Sequence, residues 1–147
     1  MNILLCTDGS ELSEKATKKT AEILSLVKNA EVTVIYVHQP IYTPLPYSAG
    51  AGYVPVAIPA QLNEEVKAEG KEILAKAGKT LQEFSTKYKT FLLEGHPAST
   101  IIDYDANHDF DLLVIGSKGR TGLEKLLMGS VSSAVVQEVK CDVLVVK

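Results

Sequence analysis

The residues best suited to chemistry in this sequence are glycines set beside two cations. Gly116-Ser117-Lys118-Gly119-Arg120-Thr121-Gly122 spaces three glycines at intervals of three, with Lys118 and Arg120 between them. Such a turn can present several backbone N–H groups to one anion. Further on, Gly129-Ser130 opens a helical pattern, and a helix N-terminus carries free N–H groups and a partial positive charge. A phosphate chain between turn and helix would meet donors on both sides. The spacing Gly116-x2-Gly119-x9-Gly129-Ser130 is not a P-loop, since Thr121 stands where its second glycine is required. Nor is it G-x-G-x-x-G after a first strand. The alternative is a glycine-rich turn that only reverses the chain.

A second candidate is Asp8, in Thr7-Asp8-Gly9-Ser10 after the first apolar run. Its carboxylate either closes a turn or accepts hydrogen bonds from a ribose hydroxyl or a base edge. Ser10 reads as a helix cap. The histidines His38, His96 and His108 have no nucleophile or acid at a fixed spacing, so no catalytic constellation is expected. Asp103, Asp105, Asp109 and Asp111 gather at a helix end and a strand start, across the sheet from the glycine turn, and no metal site is expected there. Cys6 and Cys141 form no CxxC or CxxH pair and read as small buried hydrophobes, unpaired in a reducing compartment. A receiver domain would want an aspartate after the third strand, where Glu94-Gly95-His96 stand.

The elements that must position these residues follow from the apolar pattern. Ile3–Cys6, Val32–Val37, Leu112–Ile115 and Val143–Val146 are runs without alternation, with a weaker run at Phe91–Leu93. Runs of this kind suit strands buried on both faces. Helical spacing fills the gaps. One helix starts at Ser10 or Ser13 and turns Leu12, Ala16, Thr20, Ile23, Leu24 and Val27 inward. A second spans Gln61–Lys87, with Leu62, Val66, Ile73, Ala77, Leu81 and Phe84 inward. A third has Pro97 in its first turn, and a fourth covers Ser130–Val139. The order βαβαβαβαβ predicts an α/β fold: an open, doubly wound, five-stranded parallel sheet between helices, Rossmann-like. Ligands of such sheets bind at the C-terminal strand ends.

One domain over residues 1–147 accounts for the length. Gln39–Asn63 breaks the pattern: it carries no charge and holds Pro40, Pro44, Pro46, Pro55 and Pro59. Prolines this dense exclude a helix or a central strand. Residues 39–60 read as a long loop insertion, either a lid beside the site or a plain surface crossover. The formal net charge of −3 gives no basic face for nucleic acid. No apolar run is long enough to cross a membrane, and the first eight residues lack the basic start of a signal peptide. A cytoplasmic location is expected.

The chain resembles the universal stress protein family over essentially its whole length. Three runs carry the resemblance: Thr7-Asp8-Gly9-Ser10; Asp111 through Ile115 into Gly116-Ser117-Lys118-Gly119-Arg120-Thr121-Gly122-Leu123; and Leu127-Met128-Gly129-Ser130-Val131-Ser132, closing with Cys141 to Lys147. The family's ATP-binding subclass is marked by G-x2-G-x9-G-[ST], and this chain matches every fixed position. The resemblance implies that Gly116, Gly119, Gly129, Ser130 and Val131 hold phosphates. Asp8 would meet the adenosine, Val37 would offer backbone groups to the adenine, and Ile115 would line the same cleft. Lys118 and Arg120 are secondary phosphate candidates. The implied ligand is ATP, with Mg2+ or Mn2+ bridging its phosphates. The expected function is a nucleotide-dependent switch or signalling module of the stress response, with at most slow hydrolysis, since no general base is visible. The alternative is a non-catalytic dimeric interaction module whose nucleotide site is vestigial. An ATP-pyrophosphatase relative would carry Ser-Gly-Gly-x-Asp-Ser where Thr7-Asp8-Gly9-Ser10 stands. Val143–Val146, as the last strand, falls at a sheet edge and invites pairing with a second copy. The resemblance points to the same homodimer; a further protein partner is left unnamed.

Overall fold

The computed structural model describes residues 1–40, 42–46, 53–57, 60–84, 87–120 and 128–147. In chain order the elements are β1 (Asn2–Cys6), α1 (Glu11–Leu26), β2 (Glu31–His38), β3 (Tyr42–Pro46), β4 (Tyr53–Ala57), α2 (Ala60–Glu83), β5 (Tyr88–Glu94), α3 (Pro97–Ala106), β6 (Leu112–Gly116), α4 (Ser130–Glu138) and β7 (Asp142–Val146). Five strands form one parallel sheet in the order β5-β2-β1-β6-β7. Strand order reverses at β1, between β2 and β6, which is where the expected crevice should open.

The apolar runs lack alternation because both sheet faces are covered. Ile3, Leu5, Val32, Val34 and Val114 pack under α1 and α2. Leu4, Cys6, Ile35, Leu113 and Ile115 pack with Ile101 of α3 and Val135 of α4. Ile3, Leu4, Leu5 and Leu113 are fully buried, each contributing roughly 1.5–3 kcal/mol by leaving water. The buried stripe of α1 is made of small residues, Ser13, Ala16, Thr17, Thr20, Ala21 and Leu24. Thr17 and Thr20 return their hydroxyls to the carbonyls of Ser13 and Ala16, at 2.9 and 2.8 Å. That satisfies buried hydroxyls and lets α1 lie close to the sheet.

Two expectations need correction. Phe84 lies past the end of α2 and is 42% exposed; the helix packs through Ala77 and Leu81, as expected, and through Leu74. The proline-rich segment is also not wholly loop, for β3 and β4 pair antiparallel as a separate two-stranded sheet with Pro44 opposite Pro55. In a two-stranded ribbon each strand keeps an open side, so a residue without N–H can sit there, as it cannot in a central strand. The residues between these strands, and with them the lid expected of 39–60, lie outside the described residues.

Cys6 and Cys141 are free thiols. Cys6 pairs across the sheet with Ile115, and Ile115 with Val145 of β7. Cys141 lies four residues before Val145, about 13 Å along the strand direction. Burial pushes the Cys6 thiol well above the usual range. Burial and a hydrogen bond to Asp105 push Cys141 up to about 12. Both hold their protons when folded at a pH where the unfolded chain releases them. Their contribution to stability is therefore constant below about pH 9 and falls as pH rises towards about 12. Urea midpoints measured across that range should decline, and less so in a Cys141→Ala variant.

Candidate functional site

The C-terminal ends of β1, β2 and β6 open into a cavity of about 350 Å3, flanked by the starts of α3 and α4. Asp8, Val37, Ile115, Gly116, Lys118, Gly119, Arg120, Gly129, Ser130 and Val131 all line it. The structure thus brings together residues taken from both ends of the sequence. It adds residues that spacing did not single out: Cys6, Thr7, Ser13, Ile35, Pro97, Ile101, Met128 and Ser132. Cys6, Ile35, Val37, Pro97, Ile101 and Ile115 make an apolar slot on the α3 side. The glycine turn and the start of α4 make the polar end.

The polar end is held by one carbonyl. Ser117, 2% exposed, donates its N–H to Val146 at 2.7 Å. Its carbonyl oxygen accepts from Gly129 N–H at 2.7 Å and from Ser132 Oγ at 2.8 Å. This fixes the start of α4 against the turn after β6. The N-cap of α4 is Gly129, with no side-chain cap bond. The amides of the first helical turn have no intrahelical acceptor, so they are left for something in the cleft.

The three motif glycines answer to different demands. A Cβ on Gly116 would lie 3.0 Å from the carbonyl carbon of Leu12 and 3.1 Å from the nitrogen of Ser13, so α1 packs where it would be. A Cβ on Gly119 would lie 2.6 Å from Asp8 Oδ2. A Cβ on Gly129 would meet Lys118 Cα and Ser117 O at 3.5 Å and Ser132 Oγ at 3.6 Å, which is ordinary contact. Packing against main chain calls for glycine at 116, the Asp8 carboxylate sits where a Cβ on residue 119 would be, and at 129 the fold leaves room.

Asp8 lines the cleft, but its oxygens already serve the protein. Oδ1 accepts from Ser10 N–H at 3.0 Å and Ser10 Oγ at 2.6 Å, and Oδ2 accepts from Arg120 N–H at 3.1 Å. The carboxylate therefore ties the α1 cap to the glycine turn. Oδ1 thus has both its acceptor sites taken, and Oδ2 keeps one for a ligand donor. The Arg120 guanidinium is bonded to Glu69 of α2, which raises its pKa further above the ordinary arginine value. Thr121, Gly122 and Leu123 lie outside the described residues.

The other titratable candidates serve the scaffold. His38, 4% exposed, faces Glu94 at 3.6 Å. His108 Nδ1 lies 2.7 Å from the Tyr104 carbonyl, with the two rings stacked at 4.1 Å. Asp105, buried, accepts from Lys140 N–H at 2.9 Å, and Asp111 from Asn2 N–H at 2.6 Å. Among the described residues no group of three or more His, Cys, Asp or Glu is placed to hold a metal ion. Among them, too, no helix is long and apolar enough to cross a membrane.

A parallel sheet that opens a glycine-walled cleft at its strand-order reversal defines a Rossmann-like α/β protein. The universal stress protein family profile matches residues 1–147, and the chain belongs to that family. Universal stress protein MJ0531 of Methanocaldococcus jannaschii is 37% identical over 150 residues, covering 99% of this chain and 81% of that protein. The solved structure of MJ0577, from the same organism, superposes with a TM-score of 0.80 at 26% identity, covering 99% of this chain and 94% of the other. Two solved family structures with nucleotides share the fold. One, from Archaeoglobus fulgidus in complex with dAMP, has a TM-score of 0.66 at 24% identity, with coverage of 100% and 98%. The other, from Arabidopsis thaliana with AMP bound, has a TM-score of 0.70 at 19% identity, with coverage of 100% and 91%.

Proposed function

We propose that this chain binds ATP in the cleft at the C-terminal ends of β1, β2 and β6 and works as a cytoplasmic nucleotide-dependent switch with at most slow hydrolysis. The observation that carries the proposal is the space at Gly129. It is a glycine that the fold does not need, at the uncapped start of a helix, beside Ser117 and Lys118 of the turn after β6. A phosphate uses that combination. The apolar slot beside it suits a flat base, held by Val37 backbone groups and packed by Pro97, Ile101 and Ile115. AMP and dAMP in family structures fit the same class of ligand. The described residues offer no metal cluster, so Mg2+ or Mn2+ would ride on the phosphates. Calorimetric titration of the purified protein with ATP and Mg2+ should show saturable one-site binding. An absence of heat, together with no adenine nucleotide released on denaturing the protein, would defeat the proposal.

The homodimer belongs to the same proposal. Among the described residues β7 pairs with β6 on one side only, so its other edge presents N–H and C=O groups between half-buried valines. A second copy can add its own β7 antiparallel about a two-fold axis. Val145→Pro removes an N–H and sets a ring in the ladder. Sedimentation should then show monomer where wild type shows dimer. A wild type that stays monomeric at high micromolar concentration would rule this contact out.

A further inference from the structure

Residues outside the cleft hold its wall. Arg120 borders both the nucleotide cleft and a second cavity, of about 470 Å3, between α1 and α2. Its backbone N–H goes to Asp8. Its guanidinium goes the other way, donating to Glu69 of α2 and setting its positive charge near the Tyr36 phenol on β2. Tyr36 is 7% exposed. Its ring fits beneath α2 because residue 70 is glycine: a Cβ there would lie 2.8 Å from Tyr36 Cδ1 and 2.7 Å from Leu92 Cδ1. A helix carboxylate, a strand phenol and a missing methyl group together make a receptor for one guanidinium. None of the three lies within the Gly116–Ser130 motif.

We infer that Glu69 and Tyr36 are positioning residues for phosphate binding, clamping the Arg120 guanidinium against α2 so that the Gly119–Arg120 peptide stays tied to Asp8 and the glycine turn keeps its shape at the cleft. The inference rests on the proposal that the cleft takes an adenine nucleotide. A turn containing glycines has much backbone freedom to lose, and freedom removed beforehand is not charged to binding. The Glu69 and Arg120 side chains are 44% and 50% exposed, and pairs this exposed add little to stability. The clamp should therefore show in ligand affinity and not in the melting temperature. If Glu69 instead withheld Arg120 from the phosphates, releasing it would tighten binding, which is the opposite sign.

The test is calorimetry of the full chain with ATP and with adenosine. Glu69→Gln should weaken ATP about fivefold, the size of one hydrogen bond of ordinary strength, and leave adenosine within about twofold. In an Arg120→Ala background Glu69→Gln should add nothing, since the two act as one unit. Tyr36→Phe should move ATP the same way with the ring retained, which covers a Glu69 variant that fails to fold. ATP affinity unchanged or raised in both variants, or ATP and adenosine weakened alike, would overturn the role. A wild type that binds neither ligand would bring down the nucleotide proposal and this role with it. Normal wild-type binding with unmoved variants brings down the role alone.

Discussion

Gly129→Val is expected to lose ATP binding by about a hundredfold or more, close to 3 kcal/mol, while keeping the fold. The added Cβ finds ordinary contact distances of 3.5–3.6 Å, and its backbone at φ −78° and ψ 164° suits any residue. Loss of a good N-cap residue costs about 1 kcal/mol, which lowers the melting temperature of a domain this size by about 2–4 °C. The side chain instead fills the space between Ser117, Lys118 and the start of α4, where a phosphate must come close to backbone N–H groups. Titration calorimetry and a melting curve on the same preparation settle the matter. Unchanged ATP affinity would sink the assignment of this cleft.

Gly116→Val should do the reverse and damage the fold. Its Cβ would press on the Leu12–Ser13 peptide at 3.0–3.1 Å, which is main chain at the start of α1 and cannot turn aside. Overpacking against backbone costs about 3 kcal/mol, the upper end of the usual range. The expected fall in melting temperature is roughly 6–12 °C. A variant melting within about 2 °C of wild type would mean that α1 yields easily, against the tight packing described. The two variants separate glycines that look alike in the motif: one keeps room for a helix, the other, on the proposed reading, for a phosphate.

That separation marks the limit of what the sequence shows. The five sheet strands were legible because burial on both faces leaves unbroken apolar runs such as Leu112–Ile115. The cleft was legible because the loops after β1 and β6 and the start of α4 must meet at one end of a parallel sheet. Spacing cannot give direction, however. It placed Asp8 and Arg120 in the site without showing that the carboxylate holds the α1 cap and the turn, or that the guanidinium points to Glu69. Nor does spacing show that Pro97 and Ile101, apolar residues one helical turn apart beyond Glu94-Gly95-His96, wall the slot. In α2 the contact positions include Gly70, under which Tyr36 fits, and Gly78, where a Cβ would lie 2.9 Å from the Tyr88 ring; hydrophobic periodicity is blind to both. β3 and β4 were hidden by prolines that forbid a central strand but not a ribbon.

The place of β1 bears on how the chain is made. Of the five strands of this sheet it is made before the others, and it sits in the middle, with β2 on one side and β6 on the other. Ile3 opposes Val32 across one ladder and Leu112 across the other. The β5-β2-β1 half can assemble while the rest is still being synthesised. Until residues 112–116 emerge, β1 has one bare edge, lined by side chains that end fully buried. Bare apolar edges of this kind recruit other chains. The nascent protein is therefore most prone to aggregate during the stretch of synthesis that precedes β6, and its ligand cleft closes only after that interval has passed.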